Sequence, residues 1–247
     1  MPKAKGAIAR PTWLVPVAVL GIAALVLVIV LGTGGESNPA ADQAAGTSAP
    51  AGEDSEVEVD ERELARELER RDPDDPLTDG PVDAPIVMVV YSDYQCPFCA
   101  GWSHETLPVM REYAETGDLR IEWRDLNIIT PEASERAAIA TYAAGLQGHF
   151  WEYHEALYPE GETLPESELS EDGLIDIAVE LGLDEDRFVE DMSSDETRAE
   201  ITRNAQEGLM AGAASTPAFI IDGQPVVGAQ PTGVFVELIE DALADGR

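Results

Sequence analysis

Two cysteines, Cys96 and Cys99, are the residues of this 247-residue chain with the clearest capacity for chemistry, and the sequence contains no others. Two cysteines at this spacing at the start of a helix can form a disulfide without rearranging the backbone. Unpaired N–H groups and the helix dipole favour a thiolate there, so we expect Cys96 to be the solvent-facing nucleophile and Cys99 to be covered. The pair predicts thiol–disulfide exchange through its own disulfide, without a further cofactor.

Such a cysteine pair has two other uses in proteins, as part of a zinc site or as a structural disulfide. Half of a zinc site would need further ligands, and without a second cysteine pair only His104, His149 and His154 remain. We therefore predict no metal. A structural disulfide without a redox role is the other alternative, although closing so short a loop stabilises a fold little.

The segments around the cysteines predict a strand, a helix and a second strand. Residues 85–91 are short, β-branched and apolar on both faces, as in a covered central strand. Pro97 fits the first turn of a helix that runs towards Gly117. Residues 119–128 alternate apolar and polar side chains, which is typical of a strand. The order indicates an α/β fold.

The second half of the chain predicts a helical region followed by a hairpin. Thr130-Pro131 has the form of a helix cap and first turn, and helical periodicity continues to about Gly212 with breaks that indicate several helices. Asp222-Gly223 lies between two short apolar runs, a strong hairpin signal. Residues 232–244 have the pattern of an amphipathic helix.

A nearly unbroken apolar run of residues 13–31 would span about 28 Å as a helix, close to the thickness of a bilayer core. We predict a single transmembrane helix over residues 12–32. A cleaved signal peptide is the alternative, and the length of the run favours retention.

Charge is distributed unevenly along the chain. Lys3, Lys5 and Arg10 precede the apolar run, which predicts a cytoplasmic N-terminus of residues 1–11 and an extracytoplasmic remainder. The whole chain has 15 Lys and Arg against 49 Asp and Glu, a formal charge of −34. Such a surface repels phosphate groups, so we expect no nucleic-acid partner.

The composition divides the exported part into a tether and a folded domain. Residues 33–60 are small, polar and acidic, which predicts a disordered linker. Residues 61–71 have the pattern of a short helix, and the proline-rich segment 72–76 breaks it. We place the folded domain at 61–247, with a helical insertion at about 131–213.

The order of these elements, the motif Ser92–Cys99 and the pair Thr216-Pro217 before the hairpin resemble the DsbA-like branch of the thioredoxin superfamily. The resemblance implies a thioredoxin fold in which the helical block is an insertion. It also implies that Pro217 is cis and faces the cysteines, with Thr216 beside them contacting substrate backbone.

Three residues qualify this resemblance. Val90 occupies a position where many relatives carry a buried acid thought to relay protons. Asp93 is nearer the cysteines, and we expect it to cap the helix, with help in proton transfer as the alternative. Phe98 stands where the oxidising bacterial prototype has a histidine. Because Phe98 cannot donate a hydrogen bond to the thiolate, we expect a weaker oxidant.

The family implies a function for the domain. We expect an extracytoplasmic oxidase that introduces disulfides into reduced, unfolded exported proteins, and that a DsbB-like or VKOR-like membrane partner reoxidises with quinone. A reductase or isomerase of exported thiols is the first alternative, because direction depends on reduction potentials. A thioredoxin-fold binding module without turnover is the second.

The remaining chemically interesting side chains have less specific patterns. We expect His154 to be packed or to cap a helix, and His104 to lie on a solvated helix face. Tyr94 and Phe98 are the aromatic residues that could contact unfolded substrates. Three tryptophans are expected in the core: Trp102, Trp123 and Trp151.

Overall fold

The structure is a computed structural model that describes residues 65–246. Within that range the strands form one mixed sheet in the order β1-β3-β2-β4-β5. Strands β2 and β3 are parallel, and the other neighbours are antiparallel. The strands are β1 (Thr78–Asp79), β2 (Ile86–Ser92), β3 (Leu119–Asp125), β4 (Ala218–Ile221) and β5 (Gln224–Val227).

The helices fall into three groups along the chain. Two connect the parallel strands, α1 (Pro97–Glu105) and α2 (Leu107–Thr116). Five more lie between β3 and β4, and one follows the hairpin. These are α3 (Pro131–Gly145), α4 (Phe150–Ala156), α5 (Glu171–Glu180), α6 (Glu185–Ser193), α7 (Asp195–Met210) and α8 (Thr232–Asp245).

The covered central strand is confirmed, since every residue of β2 is buried. The single helix that we predicted after the cysteines is two helices, which meet at Thr106. Helix α2 ends at Gly117, whose φ of 85° a residue with a Cβ adopts only with strain. The predicted hairpin is also confirmed, with Asp222 and Gly223 both at positive φ in its turn.

Strand β3 differs from its alternating pattern, because its polar residues are also buried. The guanidinium of Arg124 lies 3.0 Å from a carboxylate oxygen of Glu122, and Arg120 lies 2.9 Å from the other oxygen of the same carboxylate. The backbone N–H groups of Arg70 and Arg71 also donate to Glu122. Paired charges therefore fill the face of β3 that carries its polar residues.

The two faces of the sheet carry different side chains. Alternate residues of β2 and β3 pack with α1, α2 and α8 in one apolar cluster that includes Val90 and Trp123. Val87, Val89 and Tyr91 point to the other face and pack in a smaller cluster. Much of the helical block forms a third cluster, which reaches Cys96 and Cys99. The cysteines thus lie where the sheet meets the helical block.

The N-terminal predictions fall mainly outside the described residues. The predicted cytoplasmic segment, transmembrane helix and linker, residues 1–60, all lie before residue 65. Between residues 65 and 246, no helix combines the length and apolarity that crossing a membrane requires. The short helix predicted over 61–71 is wrong in its second half: Ala65 and Arg66 are helical, and a turn follows. Hydrogen bonds to Glu122 hold Arg70 and Arg71 out of helical geometry.

Candidate redox site

The cysteine motif lies between the end of β2 and the start of α1. Cys96 is the N-cap residue, with extended backbone geometry, and Pro97 is the first helical residue. The N–H of Cys96 donates to the carbonyl of Asp93 at 2.9 Å, and the N–H of Cys99 donates to the carbonyl of Cys96 at 3.0 Å. Proline has no N–H group, and an N–H at the first helical position would have no acceptor within the helix. Pro97 therefore allows α1 to begin directly after Cys96.

Cys96 is buried, with 2% of its surface exposed, so the expectation that it faces solvent is wrong. The loop before β4 covers it. The Thr216–Pro217 peptide bond is cis, as the resemblance implied. The thiol of Cys96 donates to the carbonyl oxygen of Thr216 at 3.3 Å. Access to this sulfur therefore requires a small displacement of its cover, or a partner that approaches beside Thr216.

The environment of Cys96 favours its thiolate. A hydrogen bond with the Cys99 side chain is the first reason that the pKa of Cys96 falls to about 6, against the opposing effect of burial. The Thr216 side chain and the backbone N–H groups of Cys99 and Phe98 lower this pKa further. The helix N-terminus thus stabilises negative charge on the first sulfur.

The environment of Cys99 has the opposite effect. Burial raises the pKa of Cys99 well above its ordinary value, and the neighbouring Cys96 raises it further. The Ser92 side chain and the backbone of Asp93 act in the opposite direction without offsetting burial. At neutral pH one sulfur is therefore a thiolate and the other a thiol, as attack by Cys96 requires.

Asp93 does not cap α1, so that prediction is wrong. Its carboxylate is fully buried and accepts the N–H of Gln95 at 2.8 Å, closing a turn before the cysteines. It also accepts the N–H groups of Ile128 and Ile129 and the hydroxyl of Ser134. The residue therefore ties the motif to the loop between β3 and α3. The sequence could not reveal this, because these partners are at least 35 residues away.

The two aromatic residues of the motif have different environments. Phe98 is 68% exposed and stands beside the cysteines on the first turn of α1, next to exposed Pro97. Tyr94 is buried, and its ring stacks on that of Tyr158 with centroids 5.4 Å apart. Of the two, Phe98 alone is placed to contact a large partner.

His154 is packed, as we predicted. Its ring is buried, with its centroid 4.4 Å from that of Trp123, and its nitrogens lie 3.1 Å from the hydroxyls of Tyr94 and Ser103. Burial lowers the pKa of His154 to about 3, which keeps the ring neutral. His104 is exposed, as expected.

The tryptophans largely match their prediction. Trp102 and Trp123 are core residues, while Trp151 is partly buried against the same cluster. Between residues 65 and 246 there is no group of three or more His, Cys, Asp or Glu side chains that could hold a metal.

Sequence reasoning missed three residues around the cysteines. Ser92 faces Cys99, and Tyr158 donates its hydroxyl hydrogen bond to the carbonyl of Asp93 at 2.9 Å. Asp125 is fully buried at the end of β3. The sequence did indicate that Asp125 is buried. Asp125 follows Ile121 and Trp123 at the alternate positions of β3 whose apolar side chains face the core. A carboxylate at such a position indicates a buried acid.

A family model described as thioredoxin matches residues 73–241. Among curated proteins, the Na(+)/H(+) antiporter NhaA 1 of Salinispora arenicola is 31% identical over 180 residues, covering 71% of this chain and 26% of that protein. The NhaA antiporter of Herminiimonas arsenicoxydans is 29% identical over 177 residues, covering 68% and 26%. The chain therefore spans about a quarter of the length of the curated relatives it matches.

Solved structures of similar fold include proteins from three bacteria. The thiol-disulfide exchange protein alpha-DsbA2 of Wolbachia pipientis superposes with a TM-score of 0.61 at 21% identity, covering 73% of this chain and 93% of that one. BdbD of Bacillus subtilis gives 0.60 at 19%, covering 68% and 92%. The catalytic domain of Proteus mirabilis ScsC gives 0.60 at 20%, covering 74% and 98%. These likenesses show the DsbA-like form of the fold, with its helical insertion.

Proposed function

Because the chain belongs to the thioredoxin family and holds a cysteine pair at a helix N-terminus, we propose that it is a thiol–disulfide oxidoreductase that oxidises cysteine pairs in exported proteins. The observation that carries this proposal is the unequal environment of the two sulfurs. Cys96 is stabilised as a thiolate at the start of α1, while Cys99 is held as a thiol behind it.

The exchange needs only the two cysteines and a substrate dithiol. A substrate thiolate attacks Cys96 of the Cys96–Cys99 disulfide, the bond between the cysteines breaks, and Cys99 leaves and takes up a proton. The second substrate thiolate then attacks the sulfur that is bonded to Cys96, forming the substrate disulfide and releasing the Cys96 thiolate. Two electrons pass from the substrate to the cysteine pair.

The acidity of Cys96 supports oxidation as the direction. A thiolate of low pKa is a good leaving group, and its stability favours the reduced form of the pair, which makes the disulfide a stronger oxidant. The pKa of about 6 for Cys96 lies between values of about 7 for thioredoxin and about 3.5 for DsbA. We therefore propose an oxidant of intermediate strength.

The surface beside the cysteines suits unfolded protein substrates. Phe98 offers an exposed aromatic ring next to the sulfurs. The resemblance implies that Thr216, beside cis-Pro217 and in contact with Cys96, is the residue that contacts substrate backbone. The acidic, lysine-poor sequence and the apolar run of residues 13–31 support a membrane-anchored, extracytoplasmic site of action. A quinone-linked membrane protein would then reoxidise the pair.

Trapping of substrates tests the proposal. The Cys99→Ala variant, expressed with the whole chain, should accumulate mixed disulfides between Cys96 and exported proteins, because the resolving thiol is missing. Cys96→Ala is the matched control and should trap none. Equal recovery of proteins by Cys99→Ala and Cys96→Ala under non-reducing conditions would contradict the proposal.

Two further measurements separate the alternatives. An oxidase should hold Cys96 and Cys99 mostly as a disulfide in cells, whereas a reductase or isomerase should hold them mostly as thiols. A binding module should retain its partners when both cysteines are replaced by alanine. Equilibration of the purified protein with glutathione buffers then gives the reduction potential directly.

A further inference from the structure

A groove of about 750 Å³ lies on the face of the sheet that is turned away from α1 and α8. It is therefore separate from the surface that carries Phe98. Its floor is β4, where Ala218 and Ile220 point to this face while the alternate residues of the strand pack towards α8. The end of α7 and the edge strand β5 border it. The larger apolar side chains that line it are Leu68, Met210, Pro225 and Val227.

The apolar side chains at the mouth of the groove are strongly exposed. Met210, at the end of α7, is 82% exposed, the largest fraction among the large apolar side chains of residues 65–246. Val227, on β5, is 63% exposed. Large apolar side chains that share one exposed patch mark interaction sites, because water disfavours such a surface. The mouth of the groove therefore has the character of an interaction surface.

The edge of the sheet beside the groove restricts how a partner can bind. Strand β5 is an edge strand, and the pair Ile221 and Gln224 flanks its two-residue turn as a hydrogen-bonded pair. The alternation along the strand then turns the backbone of Pro225 outwards. In agreement, the N–H of Gly228 donates inwards to the carbonyl of Pro217 at 2.8 Å. Because proline has no N–H, a partner strand cannot form a regular ladder along β5, and the groove is suited to side chains instead.

The groove continues into the loop that covers the reactive sulfur. Gly212 and Ala213 line the groove, and the carbonyl oxygen of Thr216, a little further along the same loop, lies 3.3 Å from the sulfur of Cys96. The cis peptide bond directly precedes β4, and β5 is one strand spacing away. The path from the sulfur to the groove is therefore about 12 Å, or about four residues of extended chain. A partner that reaches Cys96 beside Thr216 also has the groove within reach.

The rim of the groove is acidic. Glu67 is exposed there, and the carboxylate of Glu207, which also borders the groove, pairs with Arg70. The two lysines of the chain, Lys3 and Lys5, both precede the described residues, and the formal charge of the whole chain is −34. A positively charged group on a partner would meet complementary charge at this rim, whereas an acidic partner would be repelled.

We infer that the groove binds a segment of the unfolded substrate that carries apolar side chains together with lysine or arginine, close to the cysteine that reacts at Cys96. This inference rests on the proposed function and names the class of substrate. The apolar side chains enter the groove between α7 and β5, and the basic ones lie at its rim. Docking holds the substrate thiol near Cys96 and so increases the rate of exchange, while the electrons pass to the cysteine pair as before.

Oxidation of short peptides measures the contribution of docking. The whole chain, with its cysteines oxidised, is mixed with dithiol peptides that carry Leu-Lys-Leu-Lys about four residues before or after their cysteines. Matched peptides carry Gln-Ser-Gln-Ser instead, and acid quenching with mass analysis gives the rate of disulfide formation. One of the two Leu-Lys placements should react at least about tenfold faster than its matched peptide, and added salt should reduce the advantage. Equal rates for all peptides would overturn the inference.

Two variants assign the advantage to the groove. Met210→Gln and Val227→Thr remove apolar surface at exposed positions, so the fold should tolerate both. Each should lower the rate with the preferred peptide about fivefold. Reduction of the cysteine pair by glutathione, which is too short to reach the groove, should keep its wild-type rate. Val179→Thr is the matched control, because Val179 is 48% exposed on α5 and does not line the groove, and it should react like wild type.

Photo-cross-linking identifies the occupant of the groove. Met210→p-benzoylphenylalanine places a light-activated group at its mouth in the whole chain. Irradiation with the preferred peptide should give an adduct of protein and peptide. A covalent dimer would assign the groove to a second copy of the chain, and an internal cross-link to residues 1–64 would assign it to the N-terminal part. Either result in place of the peptide adduct would refute the inference.

The outcomes separate this inference from the proposed function. If the oxidised wild-type protein accepts electrons from neither glutathione nor any peptide, the proposed function fails. If it oxidises every peptide at a rate that does not depend on the Leu-Lys segment, the inference fails alone. A loss in Met210→Gln or Val227→Thr that is as large with glutathione as with the peptide would show an effect on the cysteines themselves and would count against docking.

Discussion

The carbonyl oxygen of Thr216 lies 3.3 Å from the sulfur of Cys96, although 120 residues separate the two in the chain. The carbonyl can accept a hydrogen bond from the thiol but offers nothing to the thiolate. The Thr216 side chain has the opposite preference, because it lowers the pKa of Cys96. One residue therefore contacts the first cysteine in both of its protonation states.

This relationship predicts the effect of changing Thr216. Its hydroxyl has no hydrogen bond of normal geometry to another described residue, so it is available to the thiolate. Thr216→Val should raise the pKa of Cys96 above 6, because the donor is lost while the shape is kept. Thr216→Ser should leave it near the wild-type value. Thiolate absorbance at 240 nm against pH measures both, and an unchanged pKa in Thr216→Val would contradict the role of the hydroxyl.

Phe98 should limit the oxidising strength of the pair. The residue is exposed, so its replacement disturbs little packing. Phe98→His adds a donor beside Cys96 and should lower the pKa of that thiol by about one unit, equivalent to about 30 mV of reduction potential towards the oxidising side. Phe98→Leu is the control and should leave the potential unchanged. Equilibration with glutathione buffers gives both values, and equal potentials would refute the prediction.

Asp125 should make the protein less stable as the pH rises from about 4 to about 7. Its pKa is raised from 3.8 to about 7, so in this range the native state binds a proton that the unfolded chain has lost. The stabilisation is complete below the unfolded pKa and lost as pH rises through the folded one, a change of about 4 kcal/mol. Asp125→Asn should remove this dependence.

Urea unfolding between pH 4 and pH 8 measures the effect. The variant and the wild type should have similar free energies of unfolding at pH 4, and the variant should be more stable at pH 8. Parallel curves for the two proteins across this range would show that Asp125 does not titrate as described.

The buried ion pairs of Glu122 on β3 should account for most of the stability that the protein loses at acid pH. Arg124 and other donors hold the pKa of Glu122 below its usual value despite burial, so this stabilisation is present at neutral pH and lost as pH falls through the folded pKa. Glu122→Gln should lower the free energy of unfolding at pH 7 by about 3 kcal/mol, because it leaves Arg124 with less compensation.

An exposed ion pair provides the comparison for Glu122. Arg203 is 55% exposed where it pairs with Glu200, and Arg203→Ala should cost less than about 1 kcal/mol. Chemical unfolding at pH 7 compares the two variants. Similar losses for both would mean that the buried network contributes no more than a surface pair.

Local patterns in the sequence were sufficient for the elements of the fold and for the two sulfurs. The covered strand, the helix that begins at Pro97 and the hairpin at Asp222-Gly223 each depend on residues within a few positions of one another. Backbone preferences of proline and glycine and the periodicity of apolar side chains act at this range. The spacing of the two cysteines is equally local, so the sequence alone identified the redox pair.

The burial of the site was decided by contacts between distant segments. Cys96 is covered by a loop 120 residues away, and Asp93 binds a loop beyond β3 instead of capping its own helix. The polar residues of β3 are buried because arginines and carboxylates from several segments pair over them. Asp125 lies beside Ser92 because two parallel strands align in one register. The sequence alone determined which groups can exchange electrons, whereas the tertiary structure decided which neighbours they meet, because charge pairing and sheet register are set by residues far apart in the chain.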